Sequence, residues 1–257
     1  MSDATAPFHI DMKSAQKKTS IIEGFPDVGL VGTIATSYLI SQLDSSVVGH
    51  MRLEDLPPII TVQNSKIYEP CRLYLSSADN RKKFYIAYSD VPIPLSGIET
   101  LASVLVEMSN KLDAPNIISV GGLAEPTRID IERPQVYVIS NDEELMRLSL
   151  STGMTAPLEN GFITGIKAAL IREANLRGSR VLIALAQSHF RYPDPGAAAE
   201  IVAFLNKLLG IEVPIDPLVR EADELKMRLR DLMRRTASHL TQLPKGLEME
   251  QAPGYIR

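Results

Sequence analysis

The sequence predicts an α/β domain on a mixed, mostly parallel sheet, followed by a C-terminal helical extension. Three observations predict it. Short β-branched or fully apolar runs alternate with longer segments whose apolar residues recur every three or four positions, the pattern of strands joined by helices. One pair of alternating runs, "CRLYLSSADNRKKFYIAYSD", is joined by a polar turn and reads as a hairpin, so part of the sheet is antiparallel. Beyond residue 215 charged residues crowd in and the strand pattern stops. The 257 residues thus divide into a single α/β domain over 1–215, a charged helix over 216–240 and a flexible tail over 241–257.

Taken in order, "TSIIEGF" ends in a strand. Asp27 stands where an N-cap would, ahead of a helix with apolar positions Leu30, Val31, Ile34, Tyr38 and Leu39. "SSVVGHMRL" and "PIITVQN" follow as short strands, and then the hairpin over 71–89. "PLSGIETLASVLVEMSNKL" is the second long helix and leads into the buried-type strand "NIISVGGL". "QVYVIS" is a strand ahead of a short helix over 141–150. "NGFITGIKAALIREANLRG" reads as a helix stopped at Gly178, and "SRVLIALAQS" is the most apolar strand of the chain. "DPGAAAEIVAFLNKLLG" is a helix started by Pro195 and stopped by Gly210.

From Asp216 onward, Leu218, Ala222, Leu225, Leu229, Leu232, Thr236 and His239 fall alternately four and three apart. This seam of about three heptads suits either a helix docked on its own domain or a coiled coil between subunits. "TQLPKGLEMEQAPGYIR" has two prolines, two glycines and no periodicity, which marks a tail.

Composition argues against several classes of function. The balance of 27 Lys and Arg against 31 Asp and Glu gives no field to gather nucleic acid or an anionic membrane. The four histidines are scattered and a single cysteine, Cys71, has no partner, so neither a metal nor another cofactor is expected. Cys71 reads as a structural thiol, with a catalytic one as the alternative. The start lacks an apolar signal core and no run reaches the roughly 18 apolar residues of a membrane span, so the chain reads as cytoplasmic. Gly24 and Gly29 have Walker-loop spacing, but Leu30 and Val31 stand where the Lys and Ser or Thr are needed. Gly29 and Gly32 also fall short of a dinucleotide fingerprint.

Three strand exits contain chemistry-bearing residues. "GGLAEP" carries Glu125, "QSHFRYPDP" carries His189, Arg191, Tyr192 and Asp194, and "SDVPIPLSGIE" carries Asp90 and Glu99. Together with Asp27, the residues Glu125, His189, Arg191 and Asp194 form the candidate pocket if the chain is an enzyme, because ligands of open α/β sheets collect at strand C-terminal ends. Turns, capping and packing are the competing use of the same residues. Gly24, Gly29 and Gly32 suit a turn and a helix packed closely on its neighbours. Gly161 and Gly165, spaced G-x-x-x-G, would do the same on one face of another helix.

The stretch "EGFPDVGLVGTIATSYLISQL" resembles the opening signature of the proteasome assembly chaperone family, second type, in its archaeal form. "GGL", "NGFITGIKAALI" and "YPDPGAAAEIVAFLNKLLG" agree with it in order, over about residues 18–235. The resemblance implies a three-layer fold of the phosphorylase or hydrolase-like class and no proven catalysis. It also implies binding to proteasome alpha subunits or 20S core-particle intermediates, as a homo-oligomer, alone or with a paralogue. The ATP-grasp label attached to some archaeal relatives would require a phosphate loop or metal-binding carboxylates, and the sequence contains no motif of either kind. Family members can end in hydrophobic-tyrosine-any, a plug for a pocket between alpha subunits. Here Tyr255, Ile256 and Arg257 close the chain, so the tyrosine stands third from the end, about one extended residue or roughly 3.3–3.6 Å too far back. The alternative reading is a phosphorylase- or hydrolase-like enzyme acting on a small nucleotide-related ligand.

Overall fold

The structure, a computed structural model, describes residues 8–12, 15–53, 56, 58–78, 82–225 and 227. Its strands are β1 (Phe8–Ile10), β2 (Ile21–Glu23), β3 (Asp44–Met51), β4 (Thr61–Gln63), β5 (Lys66–Tyr68), β6 (Cys71–Ser77), β7 (Lys83–Ser89), β8 (Ile117–Ala124), β9 (Val136–Ser140), β10 (Thr155–Pro157) and β11 (Val181–Ser188). Its helices are α1 (Val31–Gln42), α2 (Ile98–Lys111), α3 (Glu143–Ser151), α4 (Gly165–Arg177) and α5 (Pro195–Leu209). One sheet takes nine of the strands in the order β1-β3-β6-β7-β2-β8-β11-β9-β10, and β4 and β5 form a separate hairpin. The central strands β7, β2, β8 and β11 run parallel, while β3, β6 and β7 pair antiparallel.

Helices cover both faces, making three layers. Strand alternation sends Ile21, Ile117 and Ile183 to one side, where they meet Leu101 and Leu105 of α2 and Leu170 and Ala174 of α4. Ile22, Ile118 and Leu182 face the other side, against Val31 and Leu39 of α1, Leu145 of α3 and Phe204 of α5. The central strands are apolar on both faces because both faces are covered. α5 begins with Asp194 accepting from the Ala197 N–H and ends at Gly210 in the left-handed region, the asymmetry its sequence carries.

Glycines set how closely α1 lies on the sheet. A Cβ on Gly32 would stand 2.6 Å from the Val120 carbonyl oxygen, and one on Gly24 would overlap Gly32 and Thr36. The Thr36 hydroxyl bonds the Gly32 and Gly24 carbonyls across that contact, at 2.8 and 3.2 Å. Gly161 and Gly165 behave differently from the sequence expectation. α4 begins at Gly165, so Gly161 lies ahead of it and the two share no helix face. Nothing among the described residues lies within 4 Å of a Cβ on either, and their φ angles of +148° and +68° make them backbone glycines instead of packing ones.

Several short elements are absent from the sequence reading. β1 and β10 are three-residue edge strands, and β5 completes a hairpin with the end of "PIITVQN". Past α5, residues 216–225 are helical, and the buried Leu218 joins the α1–α5 core. The first turns of the charged helix therefore dock on the domain. The remainder of the heptad seam, with Leu229, Leu232, Thr236 and His239, lies outside the described residues, as do the tail over 241–257 and its Tyr255, Ile256 and Arg257. Among the described residues no helix is long and apolar enough to cross a membrane.

Candidate functional site

Near the C-terminal ends of β2, β8 and β11 lie four of the five buried charged side chains among the described residues: Glu23, Lys167, Arg128 and Asp194. Glu23, last residue of β2, pairs in register with Ser119 of β8, so both side chains project toward α2 and α4. The Ser119 hydroxyl bonds Glu23 Oε2, and the Phe25 N–H donates to Oε1 at 2.8 Å. Lys167 arrives from the first turn of α4, where Ile166, Leu170 and Ala174 mark the buried stripe. Its Nζ donates to Asp27 Oδ2 at 3.0 Å, and the side chains of Lys167 and Asp27 are only 7% and 16% exposed.

Asp27 is the hub of this cluster. The sequence marks it as an N-cap, and the structure inserts an extra 3-10 turn, Val28–Leu30, before α1 begins. Its Oδ1 accepts from Gly32 at 3.3 Å, in the first turn of α1, while Oδ2 accepts from the Gly122 N–H at 2.9 Å as well as from Lys167. The carboxylate thus occupies the backbone donors at which an external anion would sit at a helix N-terminus. Gly121 makes room: a side chain there would overlap Asp27 Oδ2 and come within 2.6 Å of Lys167 Nζ. The intervening turn holds Gly29 at φ +63° and Leu30 at φ +52°. A Cβ on Gly29 would overlap Ser188, so only glycine fits between the two loops.

Burial sets the electrostatics. It pushes the Glu23 carboxyl up from its ordinary range, with Lys167, Ser119 and the Phe25 N–H pulling the other way. On Lys167 burial works to lower the pKa, and the carboxylates of Asp27 and Glu23 more than reverse it, leaving it raised. Lys167 is therefore a held ammonium and not a neutral amine awaiting a substrate carbonyl. Because Glu23 binds its proton more tightly folded than unfolded, its contribution falls as pH rises from about 4.5 through the raised folded value. Glu23→Gln, which keeps the acceptor for Phe25 and can donate to Ser119, is expected to melt above wild type at pH 8. Melting curves from pH 8 down to 4.5 should show that gap close; a gap constant with pH would mean that Glu23 ionisation is not its source.

A second cluster stands beside the first. Asp194 takes Arg128 Nε and Nη2 at 2.8 and 2.9 Å, both side chains being buried, and also accepts from the N–H groups of His189 and Ala197. The Asp194 N–H in turn donates to the Gly29 carbonyl at 2.9 Å. Glu125 is bound by Thr127 and Gln187, and those hydrogen bonds hold its carboxyl below the usual range. Of the sequence candidates, the structure brings Asp27, His189 and Asp194 into joined loops and leaves Glu125 on their flank. Arg191 is exposed and outside the cluster.

Sequence reasoning picks out neither Glu23, Lys167, Ser119 nor Arg128. A lysine beside Ile166 on an apolar helix stripe is the one signal that was available. Cys71 is buried, its thiol bonded to Ser89 Oγ at 3.3 Å and pushed up by burial, which is the setting of an inert thiol. Among the described residues no group of three or more His, Cys, Asp or Glu is placed to hold a metal ion.

The crystal structure of Pyrococcus furiosus PbaA, described as an archaeal homolog of proteasome-assembly chaperone, is similar with a TM-score of 0.77 and 28% identity, covering 92% of this chain and 96% of that one. Pyrococcus furiosus PbaB, described as an archaeal proteasome activator, matches at TM-score 0.75 and 23% identity over 88% and 98% of the two chains, a likeness of fold. An uncharacterized protein of Methanocaldococcus jannaschii is 28% identical over 236 residues, 92% of either chain. The profile of the PAC2 family matches residues 21–233, and the chain belongs to that family.

Proposed function

We propose that the protein is a non-catalytic assembly chaperone that binds proteasome alpha subunits, or core-particle intermediates, as a homo-oligomer in the cytoplasm. The observation that carries this reading is the state of the strand ends. Their ionisable groups are bonded to one another, and the surrounding loops turn apolar side chains outward. Leu30 follows β2, Leu95 follows β7, Phe162 precedes α4 and Phe190 follows β11, all at this end of the sheet and all exposed. Exposed apolar residues gathered at one end suit a protein surface better than a small polar ligand. PbaA, described as an archaeal homolog of proteasome-assembly chaperone and similar along nearly its whole length, supports a proteasome-related client. Several copies in one particle would raise the effective concentration of each weak contact.

Native mass spectrometry of the full-length protein with proteasome alpha subunits tests this, beside a version ending at Gly254. A complex formed by the full chain and lost on truncation would make the Tyr255–Arg257 end an anchor; one kept on truncation would put the interface on the folded body. No complex with either form sinks the chaperone reading.

The second reading, a phosphorylase- or hydrolase-like enzyme for a nucleotide-related ligand, draws on Lys167 buried between two carboxylates. It requires saturable thermal stabilisation by at least one member of a nucleotide and metabolite panel.

A further inference from the structure

Away from the strand-end cluster, Arg72 of β6 is an arginine buried without enough acceptors. Its side chain is 2% exposed, on the α1 face of the sheet beside Tyr74 and opposite Tyr88 in register. Nη2 donates to Asp90 Oδ2 at 2.6 Å, and Nε and Nη1 find no hydrogen-bond partner among the described residues. Three rings surround the guanidinium, with the Tyr68, Tyr74 and Tyr88 centroids 5.2, 5.6 and 5.7 Å from Cζ. Ring faces offset the buried charge but do not supply in-plane oxygen acceptors for N–H groups. Unmet buried donors of this kind mark a place where a partner atom belongs.

Arg72, the three tyrosines and Asp90 line a cleft of about 370 Å³, with Ile40 and Val47 as apolar wall. That volume lies within the range of small-ligand sites. We propose that this cleft binds a carboxylate carried on an apolar or aromatic group, whose oxygens take the unmet donors of Arg72 and whose apolar part lies on the tyrosine rings. A single negative charge fits, because Asp90 already balances Arg72 and would repel a dianion. Burial and Asp90, the carboxylate it is hydrogen-bonded to, push the Tyr88 hydroxyl up to about 12. Flat guanidinium and flat carboxylate match in shape as well as charge.

The β4–β5 hairpin covers the site. Tyr68 comes from its second strand, and Thr61 of the first donates to Asp90 at 2.6 Å. Each strand has three residues and neither joins the main sheet, so this cover is held by few bonds and can lift. A free small acid and a peptide C-terminus offer the same carboxylate, and the two differ only in what extends out of the cleft.

The test is a titration of the ¹⁵N-labelled full-length protein, following the Arg72 Nε–H signal, assigned by its loss in Arg72→Lys. Sodium benzoate is expected to move that signal saturably, with neutral benzamide at least about tenfold weaker, the factor a charge-assisted bond supplies, and inorganic phosphate weaker because Asp90 repels a dianion. A tripeptide ending in a free Phe carboxylate, compared with its C-terminal amide, identifies a peptide terminus if it binds tighter than benzoate and a free acid if it binds weaker. No saturable shift with any carboxylate, equal response to benzamide, or preference for phosphate each overturns the proposal. Arg72→Lys is expected to weaken benzoate about tenfold or more, read on the tyrosine ring protons. Should that variant not fold, Tyr68→Ala removes one ring from the cleft wall and its cover while leaving the main sheet intact, and an unchanged benzoate affinity there overturns the placement.

Discussion

Asp194→Ala is expected to lower folding stability by about 3–5 kcal/mol, because it leaves the buried Arg128 guanidinium without its carboxylate. Loss of the α5 cap at Ala197 adds about 1 kcal/mol. For a chain of this size the melting temperature should fall by roughly 8–24 °C. Asp194→Asn keeps an oxygen for the Ala197 N–H and should lose less. The combination Asp194→Leu with Arg128→Met removes both charges together, and is expected to be less damaged than Asp194→Ala alone. Urea melts of the three variants decide it: if the double variant is as unstable as Asp194→Ala, the orphaned guanidinium is not the cause.

Lys167→Met is expected to cost a similar about 3–5 kcal/mol near neutral pH, with a distinct pH signature. The variant keeps the length and apolar stem but leaves Asp27 and Glu23 without their cation. Glu23, already raised by burial, moves further up once the attraction of Lys167 is gone. A carboxyl raised in the folded state contributes most below its unfolded value and loses that contribution as pH rises. The deficit of Lys167→Met should therefore be largest at pH 8 and shrink toward pH 4.5. In the wild type the ammonium, raised in its turn, keeps its contribution below about 10.5 and loses it only as pH rises through the folded value. Melting temperatures of both proteins at pH 5 and 8 are the check, and a deficit that grows on acidification would contradict the assignment.

Much of the layout is legible in the sequence because periodicity and caps are local. The Asp194-Pro195 start and Gly210 stop of α5, the 71–89 hairpin and the apolar strand at 181–188 all stand where their residues put them. Asp27 is read as a cap, and it reaches α1, but only across a turn whose consecutive left-handed residues, Gly29 and Leu30, leave no mark in hydrophobic spacing. G-x-x-x-G over 161–165 looks like a helix seam and is not, since α4 starts at its second glycine. The edge strands β1 and β10 are too short for alternation to register. The partners of the buried network are the least legible part. Glu23 with Ser119, Asp27 with Lys167, and Arg128 with Asp194 are 96, 140 and 66 residues apart, and only the folded topology brings them together.

The hydrogen bond from Asp194 to the Gly29 carbonyl fastens the loop after β11 to the loop after β2, and Asp27 fastens that loop to β8 and α4. The bases of these loops are thus locked while tips such as Phe190, Arg191 and Phe162 carry none of the locking bonds. Such a division separates chassis from contact face. On the chaperone reading proposed above, substitutions at the tips would change which client is held without reopening the question of whether the chain folds, leaving one scaffold free to diverge in its partners.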